Sequence, residues 1–419
     1  MLAVIRQRNF ALLWCGQLVS MLGDWVLLVA LPFYVYQRTG SALATGAMFI
    51  VETLPRLFLG SVAGVFVDRW NRRWTMIAAD FSRVCILLPL LLLHGSNTIW
   101  LVYVVAFMET TLSQFFTPAF GALLPILVEE RHLTAANSLN ALGEEMTRLV
   151  GPSLGGAMFA LFGLNSVVLA DSFSYMFSGI MILLIVLPAS VSNRIAVDVS
   201  PERSPALRVW HEWRAGLRVM RKERLIAVLF IITGTAMIGE GAGRALFVPF
   251  LSQVAGNNAL IFSWILTAQG VGGVVGSLVL NRVDRLIGSF RLVALGALAA
   301  GLCCLIEVTF PRLPVVVICT MLAGMPVVFF FVAVYTLLQR RSQDRYRGRV
   351  FGAYLNNNTI LLLIGLFVSS FLGDRIGIRP TMYLMGFFYF LAGIVALILL
   401  RPFWIAAQQE QEVTQPVHT

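Results

Sequence analysis

Thirteen ionisable side chains stand inside long apolar runs of this sequence: Asp24, Glu52, Arg56, Asp80, Arg83, Glu109, Glu144, Glu145, Arg148, Asp171, Glu240, Arg244 and Glu307. A charge at mid-membrane costs roughly 2.5–3.5 kcal/mol on insertion scales, so such groups pair, line water or hold a proton. Spacing offers pairs. Glu52–Arg56, Glu144–Arg148 and Glu240–Arg244 are at i,i+4 and Asp80–Arg83 at i,i+3, so each lies on one helix face. Asp80–Arg83, close to the cytoplasmic end of its run, also reads as a packing pair. Nine acids outnumber four arginines, and Asp24 and Glu109 have no partner on their own helix. Low dielectric favours the neutral form of a carboxyl. These two are therefore the expected carriers of an exchangeable proton, Asp24 first. Gln17 and Ser20 share a face with Asp24, Ser113 with Glu109, and Thr233 with Glu240. Such polar stripes are expected to face a cavity rather than lipid.

Other chemistries lack their residues. Cys15, Cys85, Cys303, Cys304 and Cys319 all lie in apolar runs, with no C-x-x-C and no His partner, and read as small core residues rather than metal ligands. His94, His132, His211 and His418 fall in loops, termini or span ends, and no H-E-x-x-H or G-x-S-x-G motif stands out. The one lysine is Lys222, so no G-x-x-x-x-G-K-[ST] phosphate loop exists. An enzyme is not expected, nor a metal or cofactor; the expected energy source is a proton gradient. A receptor or scaffold that transports nothing is a different class, and the buried acids count against it.

The elements that must position these residues follow from composition. Of 419 residues, 58 % are hydrophobic and 12 % charged, with a net charge of +10 and a mean hydropathy of +0.82. Soluble domains carry about 25 % charged residues, so the chain is expected to be an integral membrane protein. A crossing helix needs about 20 largely apolar residues. Twelve runs qualify, from 11–36 to 381–400, and the alternating pattern of a membrane β-barrel is missing. The fold class is all-α integral membrane, twelve transmembrane helices in two six-helix halves. The expected organisation is 1–189 for the first half, 190–224 for a charged cytoplasmic loop, 225–402 for the second half and 403–419 for a cytoplasmic tail. A weak repeat supports the halving. A displacement of 212 lays Gly60-x-x-x-Gly64 on Gly272-x-x-x-Gly276, and one of about 214 brings Glu144 near Asn358.

Charge placement gives the topology. One set of loops with the termini holds 23 of the 31 Lys and Arg; the other set holds Arg38, Arg312, Arg375 and Arg379. By the positive-inside rule both termini are cytoplasmic, in a multi-pass protein of the inner (cell) membrane. The net charge is thus a topology signal, and nucleic acid is not an expected partner. Expected partners are a small-molecule substrate and the lipid bilayer, with the chain a monomer.

Three motifs then point to a family. Gly60-x-x-x-Gly64 followed by Asp68-Arg69-Trp70-Asn71-Arg72-Arg73 resembles the G-x-x-x-D-R-x-G-R-R loop of the major facilitator superfamily. Small Gly60 and Gly64 are expected to let backbones approach, and Asn71, in place of glycine, to tolerate a left-handed turn. Asp68 is expected to face a positive helix N-terminus, and the arginines to bind headgroups and carboxylates. The resemblance implies that Asp68 contacts the start of span 11 and supports the outward-open state. Gly151-Pro152-x-x-Gly155-Gly156 resembles the antiporter motif of the superfamily's exporters. Pro152 is expected to bend span 5, and Gly151 and Gly155 to pack against the Gly270–Gly276 run of span 8. Phe115-Phe116-Thr117-Pro118-Ala119, Leu133-x-x-Ala136-Asn137, Gly23-Asp24 and Arg347-Gly348-Arg349-Val350 resemble the macrolide-efflux and enterobactin-exporter branch.

That branch implies a secondary exporter of a small amphipathic, drug- or macrolide-like compound by proton antiport, or else of a siderophore or lysophospholipid-like metabolite. It also implies that spans 1, 4, 7 and 10 line the cavity, with Tyr335 and Gln339 at its cytoplasmic end. Family antiporters often carry an arginine in span 4. Here Glu109 stands in that span, so an arginine-based relay does not carry over.

Overall fold

The computed structural model describes residues 2–93, 98–186, 223–256, 258–342 and 347–414. Most of the expected central loop, with Trp210 and Trp213, lies outside them, as do His94, His211, His418 and the last residues of the tail. Helix is the consequence of the solvent. In hydrocarbon every backbone N–H and C=O needs an internal partner, and a helix supplies one to each.

The helices are α1 (Arg8–Thr39), α2 (Ala42–Arg69), α3 (Arg72–Leu87, continued by a 3-10 stretch Leu88–Leu92) and α4 (Ile99–Leu127). Next comes one helical stretch, Leu133–Leu183, whose arms we name α5 (133–163) and α6 (164–183). They are followed by α7 (Arg224–Ala255), α8 (Ala259–Ile287), α9 (Ser289–Thr309), α10 (Leu313–Arg341), α11 (Arg347–Ile376) and α12 (Ile378–Thr414). Among the described residues eleven stretches are long and apolar enough to cross a membrane. The Leu133–Leu183 stretch is long enough to cross twice, which gives the twelve spans. Local signals set the turns. Gly40, at φ 64°, ends α1 with its N–H on Tyr36 O, and Ser41 begins α2 by accepting from Ala44 N–H at 3.0 Å.

Pro152 does not break its helix. The one non-helical residue in the Leu133–Leu183 stretch is Gly163, at φ 75° and ψ −176°. That region is essentially closed to residues with a Cβ, so the glycine and not the proline sets the bend.

The chain divides into two compact units, Met1–Val209 with Asn257–Thr267 and Trp210–Gly256 with Ala268–Thr419. In the first, α1 packs along α5 and α6, α2 against α4, and α3 against α4 and α6. Part of its core gathers Phe10, Leu13, Met76, Phe116, Leu123 and Ile182. In the second, α7 packs against α11 and α12, and α9 against α10 and α12. Leu229, Val293, Phe330, Tyr354 and Tyr389 lie in its core.

Candidate functional site

Tyr175 of α6 is fully buried. Its hydroxyl donates to Asp24 Oδ1 of α1 at 2.5 Å and lies 2.9 Å from Glu109 Oε1 of α4. Three helices thus meet at one phenol oxygen. The shorter distance falls in the range of bonds to an ionised acceptor. A phenol carries one proton. Two full hydrogen bonds to two carboxyls need a second, carried by one of the acids. With both acids ionised, one proton is divided between two like charges. Gain or loss of a single proton therefore changes the bonding of the whole trio.

Arg83 of α3 stands behind the phenol. Its guanidinium carbon lies 4.9 Å from the Tyr175 ring centroid and 5.1 Å from that of Phe116. Nη1 is 3.5 Å from Asp80 Oδ1, and Nη2 donates to Ser113 Oγ at 2.8 Å. Arg83 is 4 % exposed, and Asp80 and Asp171 are fully buried. Ser174 Oγ lies 3.1 Å from Asp171 Oδ1. A Cβ at Gly23 would collide with that Asp171 oxygen and with Ser174 Oγ. The Gly23-Asp24 pair thereby gains a physical meaning. The glycine admits the acid of α6, and the aspartate reaches the tyrosine one turn along. Arg83 acts electrostatically on Asp24, Glu109, Asp80 and Asp171, and Arg56 on the first two. Asp24 is exposed and Glu109 half-buried. The arginine is thus more enclosed than either of these two acids.

The second unit repeats the device in the same chain order of acid, arginine and tyrosine, with the arginine on the acid's own helix. Tyr389 of α12, buried, donates to Glu240 Oε2 of α7 at 2.9 Å, and Arg244 Nε donates to Glu240 Oε1 at 3.1 Å. The tyrosine-to-acid separations are nearly equal, 149 residues here and 151 between Asp24 and Tyr175. Glu307, also buried, accepts from Thr320 Oγ1 at 3.1 Å.

Asp24 and Glu109 find no charged partner on their own helices, as expected; Tyr175 of α6 bridges them and Arg83 of α3 acts on both electrostatically, neither visible to i,i+4 reasoning. Several expectations need correction. The Asp80–Arg83 pair is part of this cluster rather than packing apart from it. Arg148 forms its ion pair with Glu145 at 3.5 Å, while Glu144 accepts from Asn140 at 2.9 Å. Thr233 is fully buried and donates to Leu229 O, so it belongs to the core and not to a polar stripe. Gln17 and Glu52 are half-buried and Arg56 exposed.

The loop motif holds further departures. Asn71 has φ −70° and caps α3 by accepting from Trp74 N–H at 3.2 Å, so no left-handed turn is made. A Cβ at Gly64 would meet nothing within 4 Å among the described residues, and one at Gly60 only the Gln114 side chain. Arg73 donates to Ile182 O and Leu183 O, the last carbonyls of α6, and Arg72 reaches Ala122 O at 3.4 Å. Arg73 thus holds the end of α6, and Arg72 reaches a carbonyl inside α4. Asp68 and Arg69 are exposed.

In α5, Gly151 faces Trp25, and a Cβ at Gly155 would sit 2.8 Å from Val26 Cα. The glycine face thus packs on α1. Gly156 faces Ser263 and Ala259, in the segment of α8 that belongs to the first unit, while Gly272 and Gly276 pack on Met321 and Met325 of α10.

Comparison with known proteins agrees with this architecture. The family model described as "Transmembrane secretion effector" matches residues 1–417. Macrolide efflux protein A of Streptococcus pyogenes is 25 % identical over 383 residues, 90 % of this chain and 92 % of that one. The staphyloferrin A transporter of Staphylococcus aureus is 24 % identical, covering 87 % and 89 %. The crystal structure of a bacterial homologue of the iron transporter ferroportin in the inward-facing state superposes with a TM-score of 0.72 over 94 % of this chain and 98 % of that one, at 16 % identity. With a helical membrane fold and a family model along nearly its whole length, the chain belongs to the transmembrane secretion effector family of major facilitator transporters.

Proposed function

We propose that the protein is a secondary exporter that couples the outward movement of a small amphipathic compound to proton entry, in the cell membrane with both termini cytoplasmic. One observation carries the coupling: a single phenol, Tyr175, bridges two carboxyls from two other helices, and neither carboxyl is fully buried. Asp24 and Glu109 hold the exchangeable proton in this reading. Tyr175 ties its presence to the packing of α1, α4 and α6, and Arg83 supplies the fixed positive charge. Glu52, Arg56, Glu144 and Arg148 line the route in the first unit, and Glu240 and Arg244 in the second. The first substrate reading is drug- or macrolide-like, after macrolide efflux protein A. The second, a siderophore-like or lysophospholipid-like metabolite, is supported by the staphyloferrin A transporter among the relatives.

Asp24→Asn tests the coupling in proteoliposomes, with erythromycin and dansylglycine as probes. The amide keeps the shape of a protonated acid and cannot release a proton. Accumulation driven by a pH gradient is expected to disappear, while downhill exchange survives. Normal gradient-driven accumulation in Asp24→Asn would overturn the assignment.

A further inference from the structure

The two tyrosine–carboxylate devices show opposite polarity to their surroundings. In the first unit Asp24 is exposed, Glu109 half-buried and Arg83 enclosed. In the second, Arg244 is 49 % exposed and Glu240, behind it, 28 %. Two thirds of the apolar length of α7 is buried, and Arg244 stands on what remains open. Both oxygens of Glu240 are already engaged, Oε2 by Tyr389 and Oε1 by Arg244 Nε. Among the described residues no hydrogen-bond acceptor is recorded for Nη1 or Nη2 of Arg244. Those two nitrogens form the edge that takes a carboxylate or phosphate by two parallel bonds. An enclosed pair such as Asp80–Arg83 has no donor edge to offer a ligand. This one presents its donors.

We propose that Arg244 is the substrate-reading residue of the second unit and that it binds an acidic group, carboxylate or phosphate, on the transported amphipath. Glu240 and Tyr389 act as positioning residues. They fix the guanidinium through Nε and leave its outer edge for the ligand. The inference rests on the carrier reading above and places the substrate in the acidic class. It does not depend on how transport is energised, because binding is measured at equilibrium.

The test uses the full chain in lipid nanodiscs with two dansyl probes, dansylglycine as the anion and dansylcadaverine as the cation. Empty nanodiscs correct for partition into lipid. Dansylglycine is expected to bind saturably and about tenfold or more tighter than dansylcadaverine. Loss of a charge-assisted bidentate pair corresponds to about 10- to 100-fold in affinity. Arg244→Gln should show that loss for dansylglycine alone, and Arg244→Lys most of it, since an ammonium keeps the charge and lacks the fork. Glu240→Gln keeps hydrogen-bonding atoms and removes the competing charge, so dansylglycine should bind about threefold or more tighter. A merely structural role for Glu240 gives no such gain. If Arg244→Gln fails to fold, Arg244→Lys and Glu240→Gln carry the test. Preference for the cation, absence of saturable dansylglycine binding, or unchanged dansylglycine affinity in both Arg244→Lys and Glu240→Gln overturns the proposal. Inorganic phosphate and lysophosphatidic acid as competitors separate the sources of the acidic group: displacement by the second alone indicates that the apolar tail is read as well.

Discussion

At the scale of the residue, Tyr175 does what no residue singled out by spacing does. A tyrosine buried in a membrane span needs a partner for its hydroxyl, and here that need joins α6 to α1 and α4. Tyr175→Phe keeps the ring against Arg83 and removes the bridge. The lost bond to a charged group is worth about 1.5–3 kcal/mol, so a lower melting temperature is expected with the fold retained. The two acids then face each other without a shared donor. Gradient-driven flux should fall more than downhill exchange, and a variant with both rates intact would detach the phenol from coupling. This residue was not legible in the sequence, because its partners lie 151 and 66 positions away and helix-face arithmetic pairs only near neighbours. Asp24 and Glu109 were legible as odd charges, since low dielectric makes any intramembrane acid conspicuous. Their bridge was not. A repeated tyrosine at matching separations in the two halves was the signal available.

Among the elements, the glycines of α5 show how a motif can be legible while its partner is not. Small residues at i and i+4 announce a close helix crossing, and they make one. The neighbour is α1 rather than the glycine run of α8, which spends its own small residues on α10. Spacing says that a backbone comes near without saying whose. Gly155→Leu would drive a side chain into the Val26 backbone, 2.8 Å from where its Cβ begins. Overpacking costs roughly 1–3 kcal/mol, and a backbone neighbour yields least, so the upper end is expected in thermal unfolding. Leu154→Val, which trims an exposed side chain, should differ little from the parent. Equal stabilities would refute the α1–α5 crossing. Arginine clamps at helix ends form a second pattern. Arg73 at the start of α3 holds the last carbonyls of α6, and Arg379 at the start of α12 holds Val308 O and Thr309 O at the end of α9. A cation there answers both unsatisfied carbonyls and the negative end of the helix.

On the scale of the whole molecule, the span count and the division into halves could be read from hydropathy and a faint repeat, since bilayer thickness fixes helix length. Asp68 belongs to this scale. It sits in the last turn of α2, where a negative charge meets the negative end of its own helix. Asp68→Asn should therefore leave stability unchanged or slightly raised. Export is nevertheless expected to fall, with the conformational population shifted away from outward-open, as measured by paired spin-label distances. Unchanged distances and unchanged export together would remove Asp68 from the switch.

Gly163 has a consequence for how the chain is made. The 51 residues from Leu133 to Leu183 reach the insertion machinery without a hydrophilic connector. Laid out as one straight helix they would measure roughly 76 Å, more than twice the hydrocarbon thickness of about 30 Å. Whether they enter as a hairpin or as one overlong rod turns on a single residue able to hold φ 75°. Gly163→Ala should therefore be a biogenesis defect first: less protein delivered to the membrane, and more of it degraded during synthesis. The molecules that do complete the hairpin should transport at close to the normal rate per copy. Normal yield with a reduced rate per copy would move this glycine from assembly to turnover.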